Sequence, residues 1–314
     1  MDGVSAQTTS VPASLKVSYK CDALAYHPQS RLLAISSSNL TGATWSGLIT
    51  LAALSDTYAP TKPPTTLDTD AGNADVTFAG EKGEFVAAGS DEGSVLLWHT
   101  DKPAKEGTDI ALGEHDDIVS AVAAHQSHLL SASWDHKIKL WDVTKGNSLA
   151  TFEAHIGAVN TVEFINAALF VSGAQDKTVR VWDKRQAVVA STLQRAYNIC
   201  SVSASRHDDN LFAVGQEDGS ACVFDRRNLA AALFCHTTGD SVRAVRFSPH
   251  TAGHLAVASD DTTLSVLDTT TQKTIYSFAG HTDYVRGVAW DPLQPHALAS
   301  GGWDGLVYFH AFSA

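Results

Sequence analysis

His115, Ser133 and Asp135 bring an imidazole base, a hydroxyl nucleophile and an orienting carboxylate into one short stretch, the constellation of a serine hydrolase. Related residues return as His155, Asp176 and Trp182, as His236, Ser259 and Asp261, and as His281 and Asp304. A hydrolase needs one such site. The copy with Ala174 where a hydroxyl is expected would be dead as a triad, but as structure it would cost only a bond or two. Trp141 also gives Ser133 a simpler purpose, because an indole N–H can only donate and a buried one needs an acceptor. These residues therefore read as structural, and the chain as non-catalytic.

Other chemistries lack their residues. There is no G-x-x-x-x-G-K-[ST] phosphate loop, and the glycines of "AGEKGE" and "GSDEGS" fall where hairpin turns need positive φ. The 14 histidines are scattered without an H-x-x-x-H or Cys/His cluster, so neither a metal nor a cofactor is expected. Cys21, Cys200, Cys222 and Cys235 show no C-x-x-C pairing. They are expected to be reduced thiols, mostly packed, in a protein of the cytoplasm and nucleus. The amino end has no basic cluster followed by an apolar stretch. No apolar run approaches the ~20 residues of a spanning helix, so no membrane partner is expected. The net charge of -12 disfavours direct nucleic-acid binding and favours basic partners.

The elements that carry these residues repeat. "SASWDHKIKLWD" (131–142) returns as "SGAQDKTVRVWD" (172–183), with further copies at 89–99, 215–225, 258–268 and 300–310 and a worn one, "ATWSGLITLA", at 43–52. Measured on Ala52, Trp98, Trp141, Trp182, Phe224, Leu267 and His310, successive steps are 46, 43, 41, 42, 43 and 43 residues. A period of about 40–45 residues built from short alternating strands is that of a four-stranded propeller blade. One blade cannot bury both faces of its sheet, so seven must stack in a ring. The last copy has only three strands, and residues near Leu15–Tyr19 are expected to supply its fourth and close the ring. The long first step reflects a proline-rich loop, "SDTYAPTKPPTTLD" (55–68). The expected organisation is a flexible tail over 1–13 and a single all-β, seven-bladed propeller over 14–314.

The units resemble WD repeats, with His115, His155, His236 and His281 as early markers. The resemblance implies that His115, Ser133, Asp135 and Trp141 form a buried structural tetrad inside one blade. Function should then lie on exposed loops held by a rigid ring. The residue before each turn acid is Trp45, Asp91, Trp134, Gln175, Glu217, Asp260 or Trp303. Three tryptophans among seven such positions mark a contact surface. The loops before the first strands add Asp116 and Asp117 from "EHDDIVS" and Tyr284 and Arg286 from "HTDYVRG", a mixture suited to a flat protein partner or a basic peptide.

Several phrases go further: "RLLAISSSNLTGATWSG", "TDAGNADVTFAGEKG", "EHDDIVSAV", "HTDYVRGVAWDPL" and "GGWDGLVYFH" resemble the methylosome WD-repeat family. That resemblance implies a hetero-oligomeric adaptor that docks on a protein arginine methyltransferase and helps present arginine-rich substrates such as histones and Sm-type proteins. S-adenosylmethionine would then bind the enzyme alone. By motif position the resemblance implies Trp45 as the docking anchor and Tyr284 as a further contact. The family's longer proline-rich carboxyl tail is not found. A competing resemblance comes from "VSGAQDKTVRVWDKR" (171–185), which is similar to the WDxR box of substrate receptors for cullin-based ubiquitin ligases, with Arg185 as its critical residue.

Overall fold

The computed structural model describes residues 12–39, 45–101, 110–113, 115–153, 155–186 and 188–313. Among these residues there is no helix, and 28 strands form seven four-stranded antiparallel sheets. The innermost strands touch one another in ring order, with Lys20–Tyr26 of blade one against Val285–Trp290 of blade seven closing the circle. Most of the expected tail lies outside the described residues.

The repeat seen in the sequence is a repeat of register. Ala52, Trp98, Trp141, Trp182, Phe224, Leu267 and His310 each sit opposite an apolar residue of the preceding strand: Leu33, Val86, Leu129, Phe170, Phe212, Leu255 and Leu298. All seven are buried. The apolar clusters lie between blades. Ala132, Leu140 and Phe152 of blade three, for example, pack on Phe164, Phe170 and Trp182 of blade four. Burying each such large side chain contributes roughly 1.5–3 kcal/mol, which is why no blade stands alone.

Ring closure follows the expected plan at a slightly earlier position. Ala13–Lys16 pairs with Leu306–Ala311, Ala13 facing Phe309. Val17 N–H then bonds the Gly305 carbonyl at 2.9 Å before the chain bends into blade one. The proline-rich loop reinforces the same seam. Tyr58 stacks on Phe309 with ring centroids 5.2 Å apart. Its hydroxyl donates to Asp291 at 2.9 Å, beside the Arg31 Nε donor at 2.8 Å. Asp291 is fully buried, so these charge-assisted bonds between blades one and seven are made away from water.

One expectation is overturned here. Cys222 and Cys235 form a disulfide; only Cys21 and Cys200 are free thiols. The two are 13 residues apart without any recognisable spacing, but the hairpin of Ser220–Asp225 with Phe234–Thr237 sets them directly opposite one another. Their Cα atoms are 4.1 Å apart, as in a non-hydrogen-bonded antiparallel pair.

Candidate interaction face and the buried tetrads

The hydrogen-bonded chain in blade three differs from the expected one at its serine. Trp141 Nε1 donates to Ser131 Oγ at 2.8 Å, Ser131 Oγ lies 2.8 Å from His115 Nε2, and His115 Nδ1 lies 2.8 Å from Asp135 Oδ2. Ser133, the residue expected in the tetrad, instead donates to the Asp117 carbonyl at 2.9 Å and accepts the Asp135 N–H at 3.1 Å. Residues 131 and 133 share a face of one strand, and Ser131, farther from the turn, meets the indole. Blade four repeats the chain through Trp182, Ser172, His155 and Asp176. That copy is complete, and Ala174 is not a missing hydroxyl.

Blade seven replaces tryptophan by His310. Since the indole N–H of the other blades can only donate, the matching polarity is His310 Nε2–H to Ser300, Ser300 O–H to His281 Nε2, and His281 Nδ1–H to Asp304. The separations are 2.8, 2.8 and 2.9 Å. Burial lowers His310 to about 3 and also lowers His115, His155 and His281 despite their carboxylate partners, so the rings are neutral. Burial pushes the Asp135 carboxyl up, but the bonds from His115 and from the Lys137 and Asp116 amides outweigh it and hold it below its ordinary value.

This is the bond polarity of a hydrolytic triad. However, Ser131, Ser172 and Ser300 are fully buried and each Oγ already has two partners. The chains tie the loop before a blade's first strand to its second and third strands. His236 joins no such chain: Thr238 holds its place, and Gly239 N–H bonds Asp261 at 2.7 Å. His236 instead lies on an outer strand opposite Ala221.

Two rings of side chains surround one end of the channel. The inner ring arises from a β-bulge near the start of every innermost strand, where the register skips one residue: Asp22, Ala74, Ser120, Asn160, Cys200, Arg243 and Arg286. A bulge re-aims a side chain, and all seven line a cavity of about 350 Å³. Arg286, expected on a loop, belongs to this ring inside strand Val285–Trp290. The outer ring holds the residues that precede the turn acids. Six of them fix their position by donating a backbone N–H to the neighbouring loop, as Trp134 does to Ile118 and Trp303 to Tyr284.

The outer ring is chemically lopsided. Trp303 donates to Asp22 at 2.9 Å, with Lys20 Nζ 4.4 Å and the Arg286 guanidinium 4.3 Å from its ring centre. Tyr284 lies 5.5 Å from Trp303. Arg243 and Arg286 both reach Asp260, at 2.6 and 3.3 Å. Trp45 donates to Asp91 and remains 56% exposed. Trp303 and Tyr284 thus pair at the seam, whereas Trp45 of blade one leans toward blade two through Asp91. Trp134 stands on the other side of the mouth, 41% exposed. Asp116 pairs with Lys137 at 3.0 Å, and Asp117 accepts the Ile118 N–H at 2.7 Å; both acids face solvent.

A WD domain, G-beta repeat, matches residues 109–142, 146–183 and 272–310, the stretches that end in the three complete hydrogen-bonded chains. Methylosome protein WDR77 of Xenopus laevis is 30% identical over 309 residues, covering 95% of this chain and 91% of that protein. The chain belongs to the WD-repeat family. Other WD-repeat relatives match in part. GATOR2 complex protein WDR24 of Xenopus laevis is 27% identical over 76% of this chain and 32% of its own length. E3 ubiquitin-protein ligase COP1 of Arabidopsis thaliana is 30% identical over 59% of this chain and 27% of its own. The chain therefore spans about a third or less of these two proteins.

Arg185, which marks the alternative WD-repeat reading, forks onto Asp183 with its Nε at 2.9 Å. Arg227 makes the same contact with Asp225 one blade later, in a blade whose tryptophan position is Phe224. The pair recurs as a device of the blade and does not single out Arg185.

Proposed function

We propose that this WD-repeat protein is a non-catalytic adaptor of a methylosome. It docks a protein arginine methyltransferase on its rim face and holds arginine-rich proteins, such as histones and Sm-type proteins, close to that enzyme. Trp45 is the anchor, and Tyr284 and Trp303 of blade seven are further contacts. The observation that carries this reading is the similarity to Methylosome protein WDR77, which runs through 95% of this chain and 91% of that protein. The exposure of Trp45 and Tyr284 on the same rim supports it, because a tryptophan at the centre of an interface can contribute ~2 kcal/mol or more. The net charge of -12 suits basic substrates. On this reading the methyl donor is held by the enzyme, and the adaptor works in cytoplasm and nucleus.

Affinity purification from native extract, wild type beside Trp45→Ala, tests the proposal. The wild type is expected to recover the arginine methyltransferase and the variant to lose most of it. A wild-type eluate without the enzyme overturns the assignment, and recovery with both proteins overturns only the anchor. A cullin-ligase adaptor recovered in its place would favour the ubiquitin-ligase reading.

A further inference from the structure

We infer that the channel mouth under blades three to five is a binding pocket for an arginine side chain of a basic protein segment, with Trp134 and Glu217 as its recognition residues. The inference rests on the reading that this face handles arginine-rich proteins, and it places that task away from the seam where the enzyme docks.

The argument starts from the lopsided rim. On blades six, seven, one and two every outer-ring side chain is held by the protein itself: Asp260 by two arginines, Trp303 by Asp22, and Trp45 and Asp91 by each other. On blades three to five the corresponding residues are Trp134, Gln175 and Glu217. No hydrogen bond, ion pair or ring contact engages the Trp134 indole or the Glu217 carboxylate among the described residues. Gln175 reaches only Asn160, at 3.5 Å. These three are also the outer-ring residues that line the 350 Å³ cavity.

The room beneath them comes from the inner ring. Blades six and seven fill their side of the mouth with Arg243 and Arg286, whereas blades three to five contribute Ser120, Asn160 and Cys200. The Ser120 hydroxyl and one Asn160 amide N–H are already given to backbone carbonyls of the next blade. What remains is a floor of small side chains, an aromatic face, an amide and a free carboxylate, with Arg243 and Arg246 touching the floor's blade-five edge at Cys200 and Ser201.

That set matches a guanidinium. A planar cation can stack on an indole face and can pair with a carboxylate, and both groups line this one cavity. Asp116 and Asp117 of blade three and Asp218 of blade five face solvent, and they would favour neighbouring positive charges on the same segment. Arg243 is near enough to feel Glu217, but it is tied to Asp260 and leaves the carboxylate available. Ile156 and Tyr197, 85% and 50% exposed on the adjoining loops of blades four and five, offer apolar contact to the residues flanking the arginine.

The test is fluorescence anisotropy of a labelled, end-capped Gly-Arg repeat peptide with the purified full chain. The wild type is expected to bind it, and a Gly-Lys repeat severalfold more weakly. Trp134→Ala and Glu217→Gln should each weaken binding by about tenfold. Gln175→Arg, which puts a competing guanidinium in the pocket, should do likewise. Trp45→Ala should bind as the wild type does. Wild-type affinity in all three pocket variants, an equal loss in Trp45→Ala, or no peptide binding by the wild type overturns the site. Enzyme docking is read separately, by recovery of the methyltransferase, so a peptide failure alongside intact recovery removes the pocket and leaves the adaptor reading standing.

Discussion

Trp303 donates its indole N–H to Asp22 across the seam of the ring, joining at 2.9 Å two residues that are 281 positions apart in the chain. The bond fixes the orientation of the Trp303–Tyr284 pair on blade seven, and it holds a partly buried carboxylate at the channel mouth. Burial raises Asp22 to about 6, an effect that the hydrogen bonds from Ser38 and Trp303 and nearby Arg286 only partly offset. An unfolded aspartate titrates near 4, so the folded chain holds more protons between about pH 4 and pH 6. Stability from this residue therefore falls as pH rises through that window and stays reduced above it. Asp22→Asn keeps the acceptor for Trp303 and removes the charge. Urea unfolding at pH 7.5 is expected to show the variant about 1 kcal/mol more stable. That is less than the full linkage of up to ~3 kcal/mol, because solvent reaches the channel mouth. At pH 4 the two proteins should coincide, whereas a variant less stable at pH 7.5 would show that the charge itself supports the fold.

Ser131 and Ser133 separate structural roles that are hard to tell apart by position. Ser131→Ala strands the Trp141 indole N–H and removes the donor to His115, both buried, and should cost about 3 kcal/mol. Ser133→Ala loses only its link to the Asp117 carbonyl and the Asp135 amide and should cost about 1 kcal/mol. Chemical denaturation of both variants checks the order, and a larger loss in Ser133→Ala would reassign the tetrad. A serine-directed fluorophosphonate should label neither residue.

The Cys222–Cys235 bridge closes a short loop onto the outermost strand of blade five. From loop length alone such a link contributes about 2–3 kcal/mol. Cys222→Ser/Cys235→Ser is expected to unfold at lower urea than the oxidised wild type. Adding a thiol reductant should move the wild type toward the double variant and leave the variant unchanged. A wild type insensitive to reductant would show that the bridge carries no stability.

Much of the ring was legible in the sequence because its cause is local. Alternating apolar residues and turn acids recur with the register that puts Trp141 opposite Leu129 and Trp182 opposite Phe170. What stayed hidden depends on contacts between elements. Alternation places residues 131 and 133 on the same face, so it could not choose between them. The ten-residue interval shared by Ser131 and Trp141, Ser172 and Trp182, and Ser300 and His310 is the signal that would have done so. Cys222 and Cys235 become neighbours only through one hairpin's register. The inner ring was invisible for a different reason: each member is the extra residue of a bulge, where the alternation used to read strands breaks down. Alternation accordingly places Arg286 on a loop and gives no signal for Arg243 or Asn160.

The direct test of the adaptor account is the equilibrium affinity of the purified chain for the purified arginine methyltransferase, measured by calorimetry for wild type, Trp45→Ala and Trp134→Ala. The account predicts a stable wild-type complex, a loss of about thirtyfold for Trp45→Ala, corresponding to ~2 kcal/mol, and an unchanged constant for Trp134→Ala. No measurable association of the wild-type chain with the enzyme would contradict it.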